Sequence, residues 1–167
     1  MKRFIFLDID GTLASIPFLC RRAGYIDPEC VKILNTLSDV NPEIVISSSW
    51  GYDNGKTEKA LRECGLTLPI VGYTEHFNAE WTCRGNEIEK WLREHVGGMC
   101  TKYGKCKADG IPYHRKNYDH LNYEYVIFDD DTDFLLGQKD NFIQVDDNTG
   151  ITMDDVNKAR EILLREY

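Results

Sequence analysis

The sequence lacks any long uninterrupted hydrophobic run. No stretch of about 18 apolar residues occurs, which argues against a membrane-spanning helix. The first apolar run, residues 4–7, is shorter than the roughly 7 to 15 residues of a signal-peptide core. We therefore expect no membrane association and a cytoplasmic protein.

Basic residues are also in short supply. The 167 residues contain 20 Lys and Arg against 28 Asp and Glu, which gives a formal net charge of −8. A molecule with this charge repels phosphates at long range, so a protein that coats nucleic acid non-specifically is excluded. A phosphorylated substrate would have to be captured locally, by a bound cation or by a small basic patch.

The length and composition are those of one globular domain. With 42% hydrophobic and 29% charged residues, the chain is neither disordered nor collagen-like. We predict a single domain over residues 1–167, which needs no disulfides, and expect the six cysteines to be free thiols. A zinc site is the less favoured interpretation of four residues whose spacing is wider than in structural zinc sites: Cys100, Cys106, His114 and His120.

Short apolar segments alternate with amphipathic ones, the pattern of crossover units in a mostly parallel sheet. The pattern predicts an α/β fold, a Rossmann-like three-layer sandwich with a five-stranded, mostly parallel sheet. The predicted strands are residues 3–9, 43–46, 68–72, 125–128 and 142–145, and the predicted helices begin near Pro28, Lys56, Gly85 and Thr152.

Residues 97–122 interrupt this alternation and are predicted to form an inserted loop. Between positions 101 and 116 the loop holds five basic residues and one acidic residue, which reverses the sign of the local charge. Basic residues interleaved with tyrosines can hold a phosphate backbone and stack bases, so Lys102, Lys105 and Tyr113 are candidates for substrate contact. A solvated surface loop is the alternative.

Acidic clusters follow two of the predicted strands. The first strand runs into Asp8 and Asp10, and the fourth runs into Asp129 and Asp130. Ligands of α/β sheets bind outside the carboxyl ends of the strands, where these carboxylates converge if the two strands are neighbours. They would repel one another unless they hold a cation or take up protons. Because oxygen ligands suit Mg²⁺, which bridges to phosphate oxygens, the sequence predicts a Mg²⁺-dependent phosphate site.

The same two segments resemble motifs of a known family. Residues 8–13, DIDGTL, resemble the first motif of the haloacid dehalogenase-like (HAD) phosphohydrolases, and residues 126–130, VIFDD, resemble their fourth. The resemblance implies that Asp8 is a nucleophile that becomes an aspartyl phosphate and that Asp10 is the general acid and base. It also implies Mg²⁺ held by Asp8, the backbone oxygen of Asp10, and Asp130, with Asp129 and Asp130 interchangeable at this stage.

Residues 44–47, IVIS, resemble the second motif of that family, which implies that Ser47 donates a hydrogen bond to a phosphoryl oxygen. Ser48 follows directly and is an alternative for this role. Trp50 ends the serine run and is a candidate for substrate contact, although Trp is also common in core and rim packing.

Arg84 stands where the third motif of the family usually has Lys. Arginine can hold an aspartyl phosphate through two N–H groups, so the role is retained. Lys90 is the rival for this position, but its place in the middle of a predicted helix is typical of a solvated face.

More narrowly, the chain resembles the HAD phosphatase-like domain associated with bacterial and phage RNA-repair proteins. Besides the acidic motifs, residues 47–50, 84–92 and 150–152 carry this resemblance. It implies removal of a phosphate from an RNA or DNA end or from a nucleotide. The gaps at residues 14–27 and 72–83 are too short for a folded cap, so we predict a minimal cap and a site open to a bulky substrate.

Other function classes remain as alternatives. A phosphatase of a phosphoprotein or a small metabolite uses the same motifs. A signalling receiver module is disfavoured, because its acceptor aspartate would end a mid-chain strand where this sequence has serine or glycine. A non-catalytic HAD-fold binding domain is disfavoured by the intact set of Asp8, Asp10, Ser47, Arg84 and Asp130.

Overall fold

The computed structural model contains one five-stranded sheet in which every pairing is parallel. The structure describes residues 1–22, 25–51, 55–76, 82–96 and 123–165. The strand order is β3-β2-β1-β4-β5. The strands are β1, Lys2–Leu7; β2, Glu43–Ile46; β3, Ile70–Tyr73; β4, Tyr123–Asp129; and β5, Phe142–Gln144. The predicted α/β fold is confirmed, with a sheet that is parallel throughout.

Helices connect these strands. They are α1, Ile16–Arg21; α2, Pro28–Asn35; α3, Lys56–Glu63; α4, Arg84–His95; and α5, Met153–Leu163, with short 3₁₀ turns at Thr36–Val40 and Leu136–Asn141. Side chains fix two of the helix starts, since Asp27 accepts the N–H of Glu29, and Thr152 and Asp155 cap each other reciprocally.

The central strand β1 separates two hydrophobic layers. Because side chains alternate along a strand, Ile5 and Leu7 face one layer while Phe4 and Phe6 face the other. The first layer is completed by α2, α3 and α5, and the second by α4. Trp91 of α4 packs edge-on against both phenylalanines, with ring centroids 5.2 and 5.5 Å apart. Burial on both faces explains why residues 4–7 of β1 form a continuous apolar run.

Between β1 and α2, the described residues form a tight turn and the six-residue helix α1, which buries none of its side chains. The described residues of this segment form no folded cap. The predicted loop at 97–122 lies outside the described residues, together with Lys102, Lys105, Tyr113 and the four cysteine and histidine residues weighed as zinc ligands.

None of the described helices is both long enough and apolar enough to cross a bilayer.

Candidate active site

The adjacency of β1 and β4 creates the acidic site. Leu7 pairs with Phe128, and the N–H of Asp8 donates to the carbonyl of Phe128 at 3.0 Å. Asp8 and Asp129 therefore emerge side by side at the carboxyl edge of the sheet. One carboxylate oxygen each from Asp8, Asp129 and Asp130 lies within 4.8 Å of the others. The predicted convergence of the two acidic segments is present.

Gly11 makes room for this cluster. Its φ of +79° lies in the left-handed region, and its N–H donates to the carbonyl of Ala14. A Cβ atom at this position would lie 2.3 Å from Cγ of Asp130. The backbone after Asp10 can therefore pass directly against the Asp130 carboxylate only because residue 11 has no side chain.

Burial raises the pKa values of these three carboxyl groups and so disfavours their ionised forms when no cation is bound. Burial raises the pKa of Asp8 to about 6, against the opposing effects of Arg84 and of a hydrogen bond from Ser48. Burial, together with the charge of Asp8, raises the pKa of Asp129 to about 7. The pKa of the half-buried Asp130 is raised as well, again chiefly by burial.

One carboxylate oxygen of the cluster has no hydrogen-bond partner. Asp129 accepts the N–H of Asp131 on Oδ1, but its Oδ2 is buried and receives no hydrogen bond from the described residues. Among the described residues, three carboxylates face one guanidinium, that of Arg84, which leaves two negative charges unbalanced when all are ionised. Oxygen donors with this excess charge fit Mg²⁺. The carboxylate of Asp10 is not part of this group of three.

Arg84 is the first residue of α4 and reaches across to both acidic strands. Its Nη1 donates to Oδ1 of Asp8 at 3.1 Å and also to the carbonyl of Ser47, and its Nε lies 3.6 Å from Oδ2 of Asp129. Burial alone would lower the pKa of Arg84, but the charges of Asp129 and Asp8 outweigh it and raise the pKa. The guanidinium therefore stays charged beside the proposed nucleophile.

Lys90, the rival for this role, points elsewhere. It pairs with Glu75 and, at 3.8 Å, with Glu94. The structure therefore places Arg84, and not Lys90, against the acidic cluster.

The serines that follow β2, Ser47 and Ser48 among them, lie at the same carboxyl edge of the sheet. The N–H of Ser47 donates to the carbonyl of Leu7 at 2.9 Å, which sets this loop beside Asp8. Ser47 is buried, with Oγ 3.5 Å from Oγ1 of Thr74. Ser48 is buried too, and the interaction of its hydroxyl with Asp8 lowers the pKa of that carboxyl group. Ser48 thus contacts the proposed nucleophile, which sequence reasoning did not specify.

Trp50 contacts Asp10, the second aspartate of the first motif. Its indole Nε1 donates to Oδ2 of Asp10 at 3.0 Å, and its ring packs against the larger hydrophobic cluster. The residue that the sequence marked as a candidate for substrate contact is therefore bonded to the proposed general acid and base.

A set of hydrogen bonds at the start of α4 was not predicted from the sequence. The backbone N–H of Arg84 donates to Oδ2 of Asp133 at 3.0 Å. Gln138 is buried, donates to the carbonyl of Gly85 and accepts the N–H of Leu135, both at 3.0 Å. A Cβ atom at Gly85 would lie 2.5 Å from the nitrogen of Leu135. Glycine after Arg84 was the one sequence signal for this close approach, which holds Arg84 in place.

An open pocket of about 470 Å³ adjoins the metal-ligand candidates on the β5 side. It is lined by Asp130, Gln144, Val145, Asp146 and Asp147. Three of these five residues are acidic, so this side of the site repels a phosphate group that no cation accompanies.

Comparison with known proteins identifies one family. The family model described as "HAD domain in Swiss Army Knife RNA repair proteins" matches residues 4–156. No curated protein and no solved structure matches the chain. The matched range contains every site residue described above.

Proposed function

The chain belongs to the family of HAD domains in Swiss Army Knife RNA repair proteins, and from this premise we propose that it is a Mg²⁺-dependent phosphomonoester hydrolase. The observation that carries the proposal is the cluster of Asp8, Asp129 and Asp130 with Arg84 bonded to Asp8. A carboxylate nucleophile next to a fixed cation is the arrangement needed to form and stabilise a phosphoryl-enzyme. The assignment of residues 1–167 to a single HAD domain is part of this proposal.

In the first step an Asp8 carboxylate oxygen attacks the phosphorus atom, and the bond from phosphorus to the leaving oxygen breaks. The leaving oxygen keeps the electron pair and takes a proton from the carboxyl group of Asp10. Arg84 and Ser47 donate hydrogen bonds to phosphoryl oxygens as charge builds up on them. Asp8 and Asp130, with the backbone oxygen of Asp10, would hold Mg²⁺, which neutralises the charge of the phosphoryl oxygens.

In the second step a water molecule attacks the aspartyl phosphate. Asp10, now ionised, takes a proton from the water as its oxygen bonds to phosphorus. The bond between phosphorus and the Asp8 oxygen breaks, which regenerates the carboxylate and releases inorganic phosphate. The partial exposure of Asp10, compared with the buried Asp8, supports its role in exchanging protons with water.

For the substrate we propose a phosphorylated RNA or DNA end, or a nucleotide. The description of the family supports this choice, as does the short segment between β1 and α2, which leaves room for a bulky substrate. We propose Lys102, Lys105 and Tyr113 as further substrate contacts. A phosphoprotein or a small phosphorylated metabolite is the alternative substrate class, and a non-catalytic binding domain is the alternative function.

A generic aryl phosphate tests the chemistry. We expect hydrolysis with Mg²⁺, none after EDTA treatment, and recovery when Mg²⁺ is restored. Asp8→Asn and Asp10→Asn should abolish hydrolysis while the circular dichroism spectrum stays that of the wild type. Full activity in EDTA would refute the metal requirement, and an active Asp8→Asn protein would refute the nucleophile.

A substrate panel tests the class of phosphate ester. It compares 3′- and 5′-phosphorylated oligonucleotides with mononucleotides, sugar phosphates and phosphopeptides. We expect the highest kcat/KM for an oligonucleotide end. Equal values for oligonucleotides and mononucleotides would remove the end-repair function and leave the phosphatase assignment intact.

A further inference from the structure

We infer that Trp50 is a positioning residue that holds the carboxylate of Asp10 for its two proton transfers. The inference rests on the proposed function, because it gives Trp50 a role in the acid and base steps. The observation behind it is the hydrogen bond from indole Nε1 to Oδ2 of Asp10, 3.0 Å long and joining residues 40 positions apart. The donor is an indole, which can donate but cannot accept.

The indole is fixed by contacts that do not involve Asp10. Its ring packs against the larger hydrophobic cluster of the core. Its backbone carbonyl accepts the hydroxyl of Thr57 at 3.4 Å, and its backbone N–H donates to Oγ of Ser48 at 3.4 Å. Thr57 is completely buried at the start of α3. The Nε1–H group is thus aimed at the site before any substrate binds.

Each aspartate of the first motif receives a donor from the same loop. The hydroxyl of Ser48 lowers the pKa of Asp8, and the indole of Trp50 donates to Asp10. Two residues of the loop after β2 thus interact with the two aspartates after β1. The two aspartates differ in what else restrains them. Asp8 is buried and also bonded to Arg84, whereas Asp10 lies in the turn after β1 and is only partly buried. Asp10 therefore depends more on its loop donor.

The hydrogen bond also distinguishes the two oxygens of the Asp10 carboxylate. Because Oδ2 accepts the indole N–H, we infer that Oδ1 gives and takes the proton in the two steps. In the first step this proton moves to the leaving oxygen as the P–O bond breaks, and the electron pair of that bond stays on the leaving oxygen. In the second step a proton from the attacking water returns to Oδ1. A rotated carboxylate would present the wrong oxygen.

Trp50→Phe tests the inference, since it keeps an aromatic ring in the core and removes the N–H donor. A poor leaving group needs the proton of Asp10, whereas a good leaving group departs without it. We therefore expect the loss in kcat/KM to be larger, by about tenfold or more, for an alkyl phosphate than for p-nitrophenyl phosphate. A merely structural role would lower both values by the same factor. Trp50→His, which restores a ring N–H, should recover part of the alkyl phosphate activity.

Trp91→Phe is the matched control. It also exchanges an indole packed against the core for a phenyl ring, but Trp91 is buried where Trp50 is partly buried, and the Nε1 of Trp91 has no hydrogen-bond acceptor among the described residues. We expect the ratio of the two kcat/KM values to stay at its wild-type level in this variant. A changed ratio in Trp91→Phe would show that any lost tryptophan perturbs the site and would overturn the inference.

A measurement on the folded wild-type chain covers the case in which Trp50→Phe does not fold. The indole N–H signals of ¹⁵N-labelled protein are compared with those of Asp10→Ala. We expect the Trp50 signal to move and to exchange faster with water, while the Trp91 signal stays in place. An unmoved Trp50 signal, or equal losses for the two esters in Trp50→Phe, overturns this inference alone. If the wild-type protein hydrolyses neither ester, the proposed function is overturned, and this inference with it.

Discussion

The carboxylate of Asp130 occupies the space that a side chain at Gly11 would need. A Cβ atom on Gly11 would lie between 2.3 and 2.6 Å from the three carboxylate atoms of Asp130. Both residues belong to the edge where β1 and β4 end side by side. The glycine of the first motif and the second aspartate of the fourth are therefore one packing unit, although 119 positions separate them.

Gly11→Ala should abolish activity, an effect larger than the loss of stability that its left-handed backbone conformation causes. The new methyl group would displace the Asp130 carboxylate, so we expect loss of Mg²⁺-dependent hydrolysis. Gly65→Ala is the control, because Gly65 has a φ of +93° and a Cβ atom there would have no neighbour within 4 Å. Left-handed backbone costs both variants about 1–2 kcal/mol. Thermal melting should show a small loss of stability in Gly65→Ala, similar to that in Gly11→Ala, while Gly65→Ala keeps its hydrolytic activity. Equal hydrolytic activities of the two variants would contradict the packing argument.

Arg84→Gln should lower kcat by about a hundredfold or more, because it removes the donor that we propose to balance the phosphoryl charge. Arg84→Lys keeps the charge but loses the planar fork, so we expect an intermediate rate. Lys90→Gln should retain nearly wild-type activity, since Lys90 pairs with glutamates away from the cluster. Steady-state kinetics at saturating Mg²⁺ distinguish the three variants. A larger loss in Lys90→Gln than in Arg84→Gln would exchange the two roles.

Asp129, the last residue of β4, and Asp130, which follows it, should respond differently to substitution. Asp130 lies against Gly11, whereas Asp129 accepts the N–H of Asp131 and faces Arg84. We expect Asp130→Asn to raise the Mg²⁺ concentration for half-maximal activity by about tenfold or more, as loss of a charged ligand does. Asp129→Asn should chiefly lower kcat at saturating Mg²⁺ by freeing Arg84. Mg²⁺ titrations of both variants decide between them, and the reverse pattern would make Asp129 the direct ligand.

The metal-free protein should lose stability as the pH rises. Folding raises the pKa of Asp8 to about 6 and that of Asp129 to about 7, above the value of about 3.9 for an unfolded aspartate. The folded state then binds more protons than the unfolded state between these values, so its free energy of unfolding falls from about pH 4 to about pH 7. Mg²⁺ binds the ionised carboxylates and should stabilise the protein more at about pH 7.5 than at about pH 5.5.

Melting temperatures measured with EDTA and with Mg²⁺ at both pH values check this. In EDTA we expect the melting temperature to be lower by about 5 °C or more at the higher pH. Asp129→Asn removes one of the two titrating groups and should flatten the dependence. A melting temperature in EDTA that rises over this range would contradict the argument.

The sheet and the acidic edge were predictable because their signals are local. A strand buried on both faces is mostly apolar, so residues 4–7 of β1 and 125–128 of β4 stand out as apolar runs that lead directly into aspartates. Once two such strands are neighbours in a parallel sheet, their carboxyl ends meet. Nothing beyond strand order was needed to bring Asp8 and Asp129 together.

The supporting contacts were not predictable, because they join residues far apart without any repeating pattern. The bond from Trp50 to Asp10 spans 40 positions, and that from Gln138 to Gly85 spans 53. Each depends on where a loop side chain points after the whole sheet has formed. The choice between Asp129 and Asp130 is equally invisible in sequence, since adjacent residues at a strand end differ only in the direction of the turn that follows.

Asp8 is attached to the innermost strand of the sheet, and its amide donates to β4. Central strands of a sheet open with free energies close to that of global unfolding. We therefore expect the proposed nucleophile to be displaced only when most of the domain unfolds. In a urea titration, hydrolysis of the aryl phosphate should disappear together with the helical circular dichroism signal, so that turnover reports the population of cooperatively folded molecules.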